Sequence, residues 1–216
     1  MEWLSAFKRW WVGKPETATL VDPGRMCRPA TWEDVLMVTG LLEAHDVRYA
    51  LCGGYALFAN GLVRQTGDVD VLVENSKRNN ARWIAAMAEM PDHAAVVLVG
   101  EVDPFTDAGP YSYDDQPGVI RIADVIVVDI MPKACGLTYE MLQENIARLD
   151  IDGHGGLNVL DIYGLWLTKQ GCRDKDKADR VQLEHALTRL RAWPENHEAR
   201  MLSLATIFSE RSTPFD

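Results

Sequence analysis

Tyr49-Ala-Leu-Cys-Gly-Gly-Tyr-Ala-Leu-Phe58, followed by Arg64-Gln-Thr-Gly-Asp-Val-Asp-Val-Leu-Val73, is the stretch on which the reading of this chain turns. A short apolar run breaks at Gly53-Gly54 into a helix-like segment, and a second apolar run then carries Asp68 and Asp70. Side chains at i and i+2 of a strand point to the same side, so two acids there can hold one divalent metal beside whatever lies over the glycines. Each half also has a plain structural reading. A glycine pair after a strand makes a tight turn. Val69, Val71 and Val73 alternate with Asp68, Asp70 and Glu74 as in any half-buried strand. The order of the glycines, Arg64, Thr66 and both acids within one strand–helix–strand unit favours a site.

Outward from this unit, Thr31 with Asp34 forms a capping-box-like start for a helix running to about residue 45. A strand over 47–52 leads into the glycines, and a short helix over 55–60 is stopped by Gly61. The acid-bearing strand spans 68–74, and Ser76 caps a helix over 77–90 closed by Pro91. A strand is expected at 95–99, then a loop or hairpin tip over 101–118, rich in Asp, Pro and Gly. The β-rich runs 119–122 and 124–131 come next, then a helix over 138–148 and a hairpin over 150–159 around Gly153-His-Gly-Gly. Helices at 160–172, 176–191 and 194–211 close the chain. The expected fold class is α+β: a mixed sheet flanked by helices to residue 159, then a C-terminal helical portion over 160–216. Residues 1–30 form an N-terminal helix and connector, with Trp3, Leu4, Phe7, Trp10 and Trp11 at helical spacing. That stripe suits packing on its own domain or on a second subunit, and less well a membrane surface.

The 216 residues are 47% hydrophobic and 25% charged, as in ordinary globular proteins. No apolar run is long enough to span a bilayer, and no secretion signal is evident. Cys27, Cys52, Cys135 and Cys172 lack paired or metal-ligand spacing, which points to reduced thiols and a cytoplasmic location. The five histidines are scattered, so no zinc site is expected. A net charge of −10 disfavours a global, sequence-independent grip on nucleic acid and mildly favours a cationic small acceptor.

A third acid, Asp129, interrupts the apolar run Asp124-Val-Ile-Val-Val-Asp-Ile-Met131. An ionised carboxylate buried there needs a partner, a strand end open to water, or a metal shared with Asp68 and Asp70. Three carboxylates on neighbouring strands can bind two Mg²⁺ ions roughly 3.5–4 Å apart, with Asp129 as the acceptor of a proton from an attacking hydroxyl. A side chain at Gly54 would obstruct phosphates placed over the turn. Further on, Lys169, Arg173 and Lys175 could reach a triphosphate, with Asp176 and Asp179 at i and i+3 orienting those bases; the plain reading is a solvated charged turn between two helices.

Together, Gly53-Gly54, Asp68-Val-Asp70 and the later Asp129 resemble the nucleotidyltransferase superfamily with the DNA-polymerase-β-like fold. Arg64-x-Thr66 and Lys169…Arg173-x-Lys175-Asp176-x-x-Asp179 look most like its abortive-infection-type toxin branch, and small antibiotic nucleotidyltransferases share the layout. The resemblance covers residues 31–191. It implies Mg²⁺-dependent transfer of a nucleoside monophosphate from an NTP to a hydroxyl of a small molecule or an RNA end such as tRNA. The metal ligands and catalytic residues would be Asp68, Asp70 and Asp129, and the nucleotide-binding residues Gly53, Gly54, Arg64, Thr66, Lys169, Arg173 and Lys175. Toxin–antitoxin pairing, with an antitoxin or a second copy against the Trp-rich helix, and antibiotic resistance are the contexts it suggests. Two departures stand out: many members carry serine where this chain has Gly54, and the Trp-rich segment matches nothing in the family. The competing expectation is a non-catalytic nucleotide-binding protein that kept the fold; a two-metal hydrolase would call for further ligands such as histidine clusters.

Overall fold

The computed structural model describes residues 27–100, 104–105, 112–113, 116–171 and 173–209. The expected Trp-rich helix, Cys172 and the last residues of the final expected helix lie outside the described residues, as does most of the expected 101–118 loop.

Helix α1 (Trp32–Ala44) begins as the Thr31/Asp34 spacing predicts, because the Asp34 carboxylate accepts the Thr31 backbone N–H at 2.7 Å. Strand β1 (Tyr49–Cys52) is buried throughout and runs into α2 (Gly53–Ala59), which ends before Gly61 at φ +78°. Strand β2 (Asp68–Val73) starts with acids on its more open side and continues wholly buried. Ser76 caps α3 (Lys77–Ala88) by accepting the Asn79 N–H. Strands β3 (Ser112–Tyr113), β4 (Gln116–Ala123) and β5 (Val127–Met131) follow, then the small β6 (Lys133–Ala134) and β7 (Leu137–Thr138) pair. Helix α4 (Tyr139–Leu142), the hairpin β8 (Ile146–Ile151) and β9 (Gly155–Leu160), and helices α5 (Ile162–Leu167), α6 (Asp174–Leu190) and α7 (His197–Ser209) complete the order.

The main sheet has seven strands in the order β3-β4-β5-β2-β1-β9-β8. It is mixed: β2 lies parallel to β5 and β1 to β9, while the remaining pairs are antiparallel. The mixed α+β class is therefore as expected. One continuous apolar cluster takes in Trp83, Tyr49 and Ile130 of the sheet portion and Leu183, Leu187 and Phe208 of the C-terminal helices.

Three local expectations fail, each for a tertiary reason. The 95–99 strand is a 3₁₀ turn over Ala94–Leu98. Ala95 and Leu98 are its buried residues, a spacing of three, while Val96 and Val99 face solvent. The Asp124 carboxylate holds the turn by accepting the N–H groups of Asp92 and Ala94 at 2.9 and 3.0 Å. Asp124 itself lies in the bend before β5 and not within one strand over 124–131. The helix expected over 138–148 is cut to one turn of α4 and a 3₁₀ turn (Gln143–Asn145), because Ile146, Ala147 and Arg148 pair with Leu160, Val159 and Asn158. Buried Asn145 fixes that break by donating to the Asp161 carboxylate, which in turn caps α5.

Candidate metal centre

Strand register assembles the acids. Cys52 on β1 is opposite Asp70 on β2, Asp70 is opposite Asp129 on β5, and Asp129 is opposite Arg121 on β4. Asp68 lies two residues before Asp70 and therefore shares its face. Asp68, Asp70 and Asp129 each bring a carboxylate oxygen within 4.8 Å of the others. Asp129 is the deepest of the three and Asp68 the most open, with 39% of its side chain exposed against 3%.

The residues before β2 trim this cluster. The Thr66 hydroxyl donates to Asp68 Oδ1 at 2.9 Å and so orients that carboxylate. Gly53 sits at φ +62°, and a Cβ added there would lie 1.9 Å from Asp70 Oδ2. A Cβ on Gly54 would come within 2.5 Å of the Thr66 side chain. The two glycines therefore let the turn close on Asp70 and Thr66. That is a more immediate reason for glycine at 54 than the phosphate clearance the sequence suggested.

Concentrating three acids has an electrostatic consequence. Burial first, then the charges of Asp68 and Asp129, push Asp70 up to about 7, against the opposing pull of Lys169 and Arg64. Burial also raises Asp129, although hydrogen bonds and charge from Arg121 pull it back. A cation among the three would relieve this repulsion. An all-oxygen carboxylate set fits a hard divalent ion such as Mg²⁺ or Mn²⁺ and not a thiolate-loving one. On these grounds the three aspartates could hold a metal ion.

Lys169, Arg173 and Arg64 are brought close, but not as free charges. Lys169 is buried, with Nζ 3.0 Å from Asp179 and 3.5 Å from Asp176. Arg173 donates to Asp176 from Nε at 2.7 Å, and Arg64 Nε lies 3.4 Å from Asp179. Asp176 and Asp179, one turn apart on α6, thus hold Lys169 and Arg173 as their spacing suggested, and Arg64 in addition. Lys175 is exposed, and its charge reaches Asp129. Arg121 is the residue that sequence reasoning missed. Its Nε and Nη2 donate to Asp129 Oδ1 and Oδ2 at 2.8 and 2.7 Å. The signal was present in Val119-Ile-Arg-Ile122, where a lone cation interrupts an apolar run, but its partner depends on register.

No protein-family model and no curated protein sequence matches this chain. Among the described residues, no helix is long and apolar enough to cross a membrane.

Proposed function

We propose that this chain is a divalent-metal-dependent nucleotidyltransferase, in which an acceptor hydroxyl attacks the α-phosphate of an NTP, the bond from that phosphorus to the bridging oxygen breaks, and the nucleoside monophosphate is transferred with release of pyrophosphate. The convergence of Asp68, Asp70 and Asp129 beside the Gly53–Gly54 turn carries this reading. A divalent ion bound there would neutralise a triphosphate and lower the pKa of an acceptor hydroxyl. The chain's own contribution is positional. Thr66 sets Asp68, the bare turn at Gly53 leaves Asp70 its place, and β5 presents Asp129 to take the hydroxyl proton on a carboxylate oxygen. Arg173 and Lys175, the exposed bases of α6 and its cap, are the groups best placed to meet a polyphosphate. Lys169 acts from within the protein, as a fixed charge whose field reaches Asp70.

The acceptor belongs to one of two classes, a small molecule or an RNA end such as tRNA. The acidic net charge supports the first, and the toxin-like motif around Lys169 to Asp179 supports the second. A second functional reading, nucleotide binding without turnover, draws support from Arg121, whose guanidinium already engages both oxygens of Asp129.

The test is to incubate the chain and its Asp70→Ala variant with each labelled NTP, Mg²⁺, and either total RNA or a small-molecule extract. Label should enter one pool with the unaltered chain. The variant should lose roughly three orders of magnitude or more of that transfer while keeping its circular dichroism spectrum. Nucleotide binding with no transfer to either pool would favour the non-catalytic reading. Equal transfer by the variant would refute the assignment of the acids.

A further inference from the structure

The bidentate contact between Arg121 and Asp129 is unusual for where it lies. Both oxygens of the deepest acid accept from one guanidinium, and Nη2 of that group is also 3.7 Å from Asp68 Oδ2. A cation supplied by the protein therefore already bridges two of the three carboxylates. Arg121 is held in place by the β4–β5 register and keeps only 20% of its side chain exposed. It is not a surface side chain that happened to fold inward.

We infer that Arg121 is a resident counter-cation and positioning residue: it holds Asp129 and competes with the divalent ion for Asp68 and Asp129. A metal ion and a guanidinium cannot both take the near side of the same two carboxylates without strong like-charge repulsion. Metal uptake thus requires the fork to let go of at least one Asp129 oxygen. The released guanidinium, planar and partly buried, would then need another anion, and a phosphate group matches its geometry. Arg121 thus lowers the metal affinity that the three acids would otherwise have.

This inference rests on the metal reading above, and the experiment separates the two. The full chain, stripped with chelator, is titrated with Mn²⁺ alone and free Mn²⁺ is read by electron paramagnetic resonance, for the unaltered chain and for Arg121→Gln, Arg121→Lys and Lys175→Gln. Arg121→Gln should tighten Mn²⁺ binding on the order of tenfold, as expected when one charge-assisted pair is removed from the competition. Arg121→Lys keeps the charge but not the fork, so it should tighten binding by a smaller factor; it carries the test if the glutamine variant fails to fold. Lys175→Gln removes a nearby charge that does not touch the acids and should shift affinity less than Arg121→Gln. Unchanged or weaker binding in the folded Arg121 variants overturns the inference, and so does an equal gain from Lys175→Gln, which would mean a general field effect. An unaltered chain that takes up no Mn²⁺ overturns the metal reading and this inference with it.

Discussion

Two arginine–aspartate forks of similar length, one end-on and one side-on, sit in this molecule, and their carboxylates are shifted in opposite directions. At the start of α1, Arg28 donates to Asp34 at 2.5 and 2.7 Å; at the sheet, Arg121 donates to Asp129 at 2.8 and 2.7 Å. The first carboxylate is pushed down to about 2, chiefly by the hydrogen bonds from Arg28 and with help from the Thr31 N–H. The second is pushed up, because burial and the charge of Asp68 outweigh the same kind of fork. Arg28 keeps half its side chain in water and its partner gains a backbone donor, whereas Asp129 is enclosed beside other acids. An ion pair thus takes its value from its surroundings: the first is settled and pins a helix, and the second is compromised enough to be exchanged.

If surroundings decide, the most enclosed ionic group should be the most costly to break. Lys169→Met leaves Asp176 and Asp179 buried with one cation fewer, and should destabilise the fold by about 3–5 kcal/mol in urea unfolding. A variant that unfolds with the unaltered chain would put that network on the surface in energetic terms. Asp34→Asn, at the settled fork, should cost about 1–2 kcal/mol through the lost charge-assisted pairing with Arg28, and transfer per folded molecule should be unchanged. A fall in specific activity larger than the fall in folded fraction would count against a purely structural role for it.

A further contrast lies in pH, where the two carboxylate environments should show opposite signs. Asp34 has a depressed folded-state pKa, so its contribution is present above about pH 4 and is lost as the pH falls through about 2. Asp70 is raised to about 7, so in chelator the stability tied to its protonated form is full below about pH 4 and is lost as the pH rises through 7. Urea midpoints measured across this range should show both limbs. Asp34→Asn should flatten only the acid limb and Asp70→Asn only the neutral one. A single limb abolished by both substitutions would break the comparison.

Much of the site is legible in the order and spacing of residues along the chain. Asp68 and Asp70 declare their shared face by a spacing of two, and Asp129 declares itself as a charge inside an apolar run. Thr31 and Asp34 announce a helix start by a spacing of three. Asp176 and Asp179 announce themselves as partners of the bases around them. The misread segments have the composition of one element and the contacts of another. Ala94–Leu98 is rich in β-formers, yet it is turned into 3₁₀ by two N–H groups donating to Asp124, thirty residues away. The helical pattern beyond Leu142 gives way because the β8–β9 pairing claims Ile146 onward. Arg121 stands out in the sequence only as a cation inside an apolar run, and its role is hidden because its partner lies on another strand.

By itself the sequence determined the α+β class, the strand–turn–helix–strand unit and the identity of the three acids, since all of these follow from short-range periodicity and from the cost of burying a charge. Tertiary structure alone decided that Asp70, Asp129 and Arg121 stand in one row across β2, β5 and β4. The same holds for Lys169, which is spent on Asp176 and Asp179 within the protein. Register and burial are properties of pairs of distant segments, and a carboxylate's affinity for a proton, an arginine or a metal is set by what those segments bring within a few ångströms.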